Sequence, residues 1–155
     1  MGQATPVRIL IADDQADILD ALRMLLGDEG YEVTPARSPG EALERLEGSE
    51  FDLAILDLNY TRDTTSGQEG LDLMERIRAI DPTLPVLVVT AWSSVSGAVE
   101  AMRRGARDYI EKPWDDERLL VTIRTQIDLR RALRRSQRLQ EANARLQRGA
   151  TPAFI

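Results

Sequence analysis

Short apolar runs that each stop at a polar or charged residue, with amphipathic helical segments between them, constrain this chain more than any other feature. Val7–Ala12 is too brief for a helix and rich in β-branched residues, and it ends at Asp13 and Asp14. Phe51–Leu56 is a second such run, ending at Asp57, and Leu84–Val89 a third, ending at Thr90 and Ala91. Shorter strands are expected at Tyr31–Val33 and at Asp108–Glu111, the latter ending at Lys112-Pro113. Between them, Ile18, Leu22, Leu25 and Leu26 recur at helical spacing before Gly27 and Gly30, and Ser38-Pro-Gly-Glu41 forms a capping box that opens a second helix. Leu71, Met74, Ile77 and Ile80 make a third helix that Asp81-Pro82 ends, and Val95, Val99 and Met102 a fourth that Gly105 stops. A fifth starts at Asp115 and Asp116 and carries Leu119, Leu120, Ile123 and Ile127. The alternation predicts an α/β fold, a doubly wound five-stranded parallel sheet with helices on both faces. In such sheets the site lies beyond the carboxyl ends of the strands.

That rule collects Asp13, Asp14, Asp57, Thr90 and Lys112 at one edge. Taken singly, each has a bland reading: Asp13 or Asp14 as a helix N-cap, Asp57 as a polar residue after a strand, Thr90 as a turn residue, Lys112 as a solvated cation. Their joint placement is what points to chemistry. Three carboxylates in one cleft repel one another and call for a compensating cation. The chain has no histidine and no cysteine, so the donors are all oxygen, which favours Mg²⁺ or Mn²⁺ over zinc. With the metal held by its neighbours, one carboxylate can act as nucleophile toward a phosphoryl group, with Lys112 and Thr90 facing its oxygens.

With these residues placed, the chain closely resembles the response-regulator receiver family of two-component signalling over about residues 7–127. The resemblance rests on the Asp13-Asp14 pair, Asp57 about 43 residues later, Thr90-Ala91, and Tyr109 three residues before Lys112-Pro113. It implies a flavodoxin-like (βα)₅ fold with strand order 2-1-3-4-5 and Asp57 as phosphoacceptor. It also implies that Asp14 and Asp57 ligate Mg²⁺ directly, Asp13 partly through water, and the backbone carbonyl of Asn59 completes the set. Thr90 and Tyr109 would be the coupled switch pair, Lys112 the phosphate-contacting cation, and Lys112-Pro113 a cis bond. A sensor histidine kinase is the implied donor, and the surface made by the fourth helix, fifth strand and fifth helix the implied output surface. On this reading the chain is a signalling switch and not an enzyme, apart from its own phosphorylation and dephosphorylation. The stretch Asn59–Gly70 departs from the family pattern: it has no proline, and Gly70 lies 13 residues past Asp57, which reads as an insertion of about five residues able to act as a lid or to be plain surface loop. Trp92 is either a partner contact or a wall of the cleft. The alternative from another class is an Mg²⁺-dependent phosphohydrolase of haloacid dehalogenase type, but that family's second acid falls here on Asn59.

The net charge of −6 is unevenly spread. Residues 130–148 carry seven arginines against one glutamate, a net of +6, which leaves −12 for the remainder. An acidic body argues against direct nucleic-acid binding. Neither proline nor glycine interrupts the chain from Trp114 to Gly149, so an extended C-terminal helix is expected, and Ala132, Leu139, Ala142 and Leu146 form an a/d-like seam suited to a homodimer. The expected organisation is a receiver at 7–127, a helical linker and possible coiled coil at 128–148, and at 149–155 the start of a further domain, cut short. A receiver followed by such a helix resembles the front of sigma-54-dependent, NtrC-like transcriptional activators. No apolar run is long enough to span a bilayer and no signal peptide is evident, so no membrane partner is expected and the location expected is cytoplasmic.

Overall fold

The computed structural model describes residues 6–58, 68–91 and 95–150. Its elements alternate throughout: β1 (Arg8–Ala12), α1 (Ala16–Asp28), β2 (Glu32–Ala36), α2 (Pro39–Gly48), β3 (Leu53–Asp57), α3 (Gln68–Ile80), β4 (Val86–Ala91), α4 (Val95–Arg103), β5 (Asp108–Lys112) and α5 (Asp116–Ala150). The five strands form one parallel sheet in the order β2-β1-β3-β4-β5, as expected.

Strand alternation divides the core into two halves. Leu10, Ala54, Leu56, Val86 and Val88 point to the face covered by α2, α3 and α4. Ile9, Ile11, Leu53, Ile55, Leu87 and Val89 point to the other, where Leu19, Leu22 and Leu26 of α1 meet Leu119, Ile123 and Ile127 of α5. Because successive side chains of a strand face opposite ways, central strands buried on both faces must be apolar at every position, which is why β1 and β3 were so legible.

Local signals fix the ends of the elements. Ser38 caps α2, its hydroxyl accepting from the Glu41 N–H at 3.1 Å, with Pro39 in the first turn. The Glu41 carboxylate reaches back one residue further than a standard capping box, to the Arg37 N–H at 3.1 Å. Gly30 (φ 88°) and Gly105 (φ 112°) adopt the left-handed conformation that ends α1 and α4 and that glycine tolerates without steric cost.

Strand β2 runs three residues beyond the expected Val33, through Pro35 to Ala36. The Glu32 N–H donates to Val7 and the Asp13 N–H to the Ala36 carbonyl, so the even-numbered residues of β2 turn their backbone groups to β1. Pro35 therefore presents its donorless nitrogen to the open edge of the sheet, the place where a strand accepts proline. At the other margin, β4 starts at Val86 and not at Leu84, whose N–H is held in a turn by the Asp81 carbonyl at 3.2 Å. Helix α5 runs unbroken for 35 residues, or about 50 Å at 1.5 Å per residue. Its a/d-like seam is open to solvent, with Leu139 and Leu146 exposed.

Candidate functional site

The cluster is assembled at the carboxyl edge of the sheet by the ends of three neighbouring strands, β1, β3 and β4, together with β5. Asp13 and Asp14 follow β1 directly, Asp57 is the last residue of β3, Thr90 stands one before the end of β4, and Lys112 closes β5. Thr90, Asp57 and Lys112 thus belong to their strands, where the sequence reading put them just past the ends. The register sets Asp57 opposite Val89 and Lys112 opposite Ala91.

Carboxylate oxygens of Asp13, Asp14 and Asp57 lie within 4.8 Å of one another. Asp13 and Asp57 are buried, at 3% and 5% exposure, and Asp14 is the more open of the three. The Lys112 ammonium stands 3.0 Å from Asp13 Oδ2 and 3.7 Å from Asp57 Oδ2, bridging two of the acids. The other oxygen of Asp13 accepts from the Gln15 N–H at 2.9 Å. Neither aspartate caps α1; Gln15 occupies that position. Burial pushes the Asp13 carboxyl above its ordinary value, with the Asp14 charge adding to it, and the Gln15 N–H and Lys112 offset only part of that rise. Among the described residues the cluster holds three carboxylates against the one Lys112 ammonium, and its three close oxygens suit a hard divalent ion of the Mg²⁺ type.

Thr90 is buried, at 1% exposure, beside the acids at the end of the adjacent strand. Tyr109 lies outward on β5 at 45% exposure and borders a shallow apolar groove with Ala98, Val99 and Met102 of α4. The Lys112-Pro113 bond is cis, as the resemblance implied. Gly70, in the first turn of α3, presses on the backbone that follows the cluster: its N–H donates to the Leu58 carbonyl at 3.0 Å, and a Cβ there would stand 2.5 Å from Leu58 Cα. In the sequence Gly70 stands out only by its distance of 13 residues from Asp57, and the Gln15 N–H on Asp13 carries no signal there at all. Asn59, Trp92 and most of the inserted stretch lie outside the described residues.

Residues 9–124 match the family described as response regulator receiver domain. The chain belongs to the response-regulator receiver family. Among curated relatives, this receiver is 38% identical over 134 residues to the alginate biosynthesis transcriptional regulatory protein AlgB of Pseudomonas aeruginosa, covering 86% of the chain and 29% of the relative. It is 38% identical over 117 residues to the transcriptional regulatory protein ZraR of Escherichia coli, covering 76% of the chain and 25% of the relative. The receiver thus spans between a quarter and three-tenths of the length of those regulators. Its fold matches a CheY-like receiver domain protein of Methanospirillum hungatei at TM-score 0.74 and 34% identity, covering 83% of this chain and 98% of that one. It also matches NtrX of Brucella abortus at TM-score 0.79 and 31% identity, covering 87% of this chain and 30% of that one. These likenesses make it an NtrC-like receiver. They lend nothing to the alternative of a haloacid dehalogenase-type phosphohydrolase. Among the described residues, no helix is long and apolar enough to cross a membrane.

Proposed function

We propose that this receiver accepts a phosphoryl group on Asp57 from a sensor histidine kinase and thereby switches the state of its α4–β5–α5 face and C-terminal helix. The observation that carries the reading is the convergence of three carboxylates within 4.8 Å, with Lys112 bridging two of them. A carboxylate nucleophile needs no general base. In the transfer, an Asp57 oxygen bonds to phosphorus as the bond from phosphorus to the kinase imidazole nitrogen breaks, and that nitrogen keeps the electron pair. Asp14 and Asp57 would hold Mg²⁺ or Mn²⁺ directly and Asp13 partly through water, with the Asn59 carbonyl as a further ligand. The bound ion would neutralise the acid cluster and the equatorial phosphoryl oxygens. Lys112 would turn from Asp13 toward the new oxygens.

Phosphorylation adds about two negative charges and strong acceptors at one point. The Thr90 hydroxyl would move inward to donate to them, leaving room for Tyr109 to turn in from its exposed position. That exchange would alter the surface formed by Val99, Met102 and Tyr109 as a shift between two packings. We take residues 7–127 as the switch, 128–148 as the linker that pairs two copies, and 149–155 as the start of an output domain. In the full-length protein, a cytoplasmic regulator, that domain would act in transcription activation of the sigma-54-dependent class.

Acetyl phosphate with Mg²⁺ is expected to phosphorylate the wild-type chain and to leave Asp57→Asn unmodified; undiminished labelling of the variant would refute the assignment. Thr90→Ala is expected to keep its labelling but to lose the change in sedimentation that beryllofluoride and Mg²⁺ produce in the wild type. Equal loss of both in Thr90→Ala would count against a relay role.

A further inference from the structure

At the opposite end of the sheet from the acids, α5 leaves the domain through a polar joint. Arg130 is 3% exposed, although it stands in the arginine-rich stretch expected to be a helical linker and possible coiled coil. Its guanidinium donates to the Thr83 hydroxyl at 2.9 Å and to Asp81 Oδ2 at 3.2 Å, both in the turn between α3 and β4. The next residue, Arg131, sits 3.5 Å from Asp52 Oδ2, and that carboxylate also accepts the Arg8 N–H at 3.0 Å. Consecutive arginines therefore grip two different loops at the amino edge of the sheet. Beyond them the remaining residues of α5 are largely exposed.

Apolar packing alone would hold α5 more simply, because an ion pair taken out of water costs desolvation that its Coulomb attraction barely returns. The joint is also incompletely satisfied: Arg130 Nε and the neighbouring Gln126 Oε1 are buried without hydrogen-bond partners among the described residues. Such contacts contribute little net stability. What they add is geometry: Leu119, Ile123 and Ile127 seat α5 only as far as Ile127, and the planar guanidinium fork, which bonds its acceptors in a narrow range of directions, extends that seat by one more turn.

We infer that Arg130 and Arg131 form a latch, with Asp81, Thr83 and Asp52 as its keepers, that fixes the direction and rotation with which α5 projects from the domain. The latch is a positioning device: it determines which face of the projecting half, the one carrying Leu139 and Leu146 or the opposite one, is presented to whatever lies beyond. The turn it grips joins the end of α3, whose first turn holds Gly70, to the start of β4, which carries Thr90 near its far end. The latch needs no phosphoryl chemistry and is independent of the switch proposed above.

The absence of cysteine makes the test direct. Spin labels on Glu44→Cys, exposed on α2, and Gln140→Cys, exposed on α5, report the separation of body and projecting helix by double electron–electron resonance in the full chain, diluted with unlabelled protein. The unsubstituted latch is expected to give one narrow distance. Arg130→Met, which removes the ion pair without stranding a buried charge, is expected to keep the melting temperature at or above that of the parent and yet to lose the narrow distance. Asp52→Asn, which retains an acceptor for the Arg8 N–H while releasing Arg131, is expected to broaden the distance less. A distance that is broad in the parent, or narrow in both variants, would overturn the latch.

Discussion

At the scale of single residues, the behaviour of the site follows from Asp13 being held away from water with too little compensating charge. Its raised pKa means that the folded metal-free chain binds a proton more readily than the unfolded chain does. The sign follows: the protonated carboxyl is tolerated at low pH, and stability is lost as pH rises from the unfolded value of 3.8 through the raised folded one. Asp13→Asn is therefore expected to raise the melting temperature of the metal-free protein at neutral pH and to weaken its stabilisation by Mg²⁺; a lower melting temperature without metal would contradict this. Gly70→Ala would force a Cβ to 2.5 Å from the Leu58 backbone, a contact that backbone cannot relieve by changing a rotamer. It is expected to cost about 1–3 kcal/mol in urea unfolding and to slow phosphorylation at Asp57, one residue away. Unchanged stability would show that α3 shifts freely. The acids, Thr90 and Lys112 were legible in the sequence because strand ends can be counted and the topology brings them together. What holds Asp13 was not legible, because its contacts are a backbone N–H from Gln15 and a lysine on a strand 99 residues away.

Among the elements, helices were read best where a cap or a terminator was local. Ser38 caps α2 as expected, and Ser38→Ala is predicted to cost about 0.5–2 kcal/mol, measured by chemical denaturation. The length of β2 was missed because Pro35 argues against a strand unless the strand is known to be an edge, and that is a property of the sheet. The buried part of α5 beyond Ile127 was missed for a similar reason: an arginine-rich stretch reads as solvated, and only the fold brings Asp81, Thr83 and Asp52 to Arg130 and Arg131. Burial would raise the Asp81 carboxyl, but hydrogen bonds from Thr83 and the Arg130 charge outweigh it and hold it below its ordinary value. For a depressed carboxyl the sign is opposite to that of Asp13: its contribution is present above 3.8 and disappears as pH falls through the lower folded value. Asp81→Asn, which leaves the Arg130 charge buried with less compensation, is expected to cost about 1–3 kcal/mol near neutrality. The gap from wild type should narrow in acid below 3.8, and a gap independent of pH would contradict the pairing.

For the molecule as a whole, two apolar half-cores hold the sheet while its carboxyl edge gathers three carboxylates against one lysine among the described residues. Under the proposed function a divalent ion belongs to the folded site. Binding to the native state alone would stabilise it by about 2.7 kcal/mol at a hundredfold excess over Kd. The most direct measurement is an isothermal calorimetric titration of the metal-free chain with Mg²⁺, repeated on Asp57→Asn. Saturable uptake of one ion per chain, weakened in the variant, is expected; no magnesium uptake by the wild type, or equal uptake by both, would rule out the metal site.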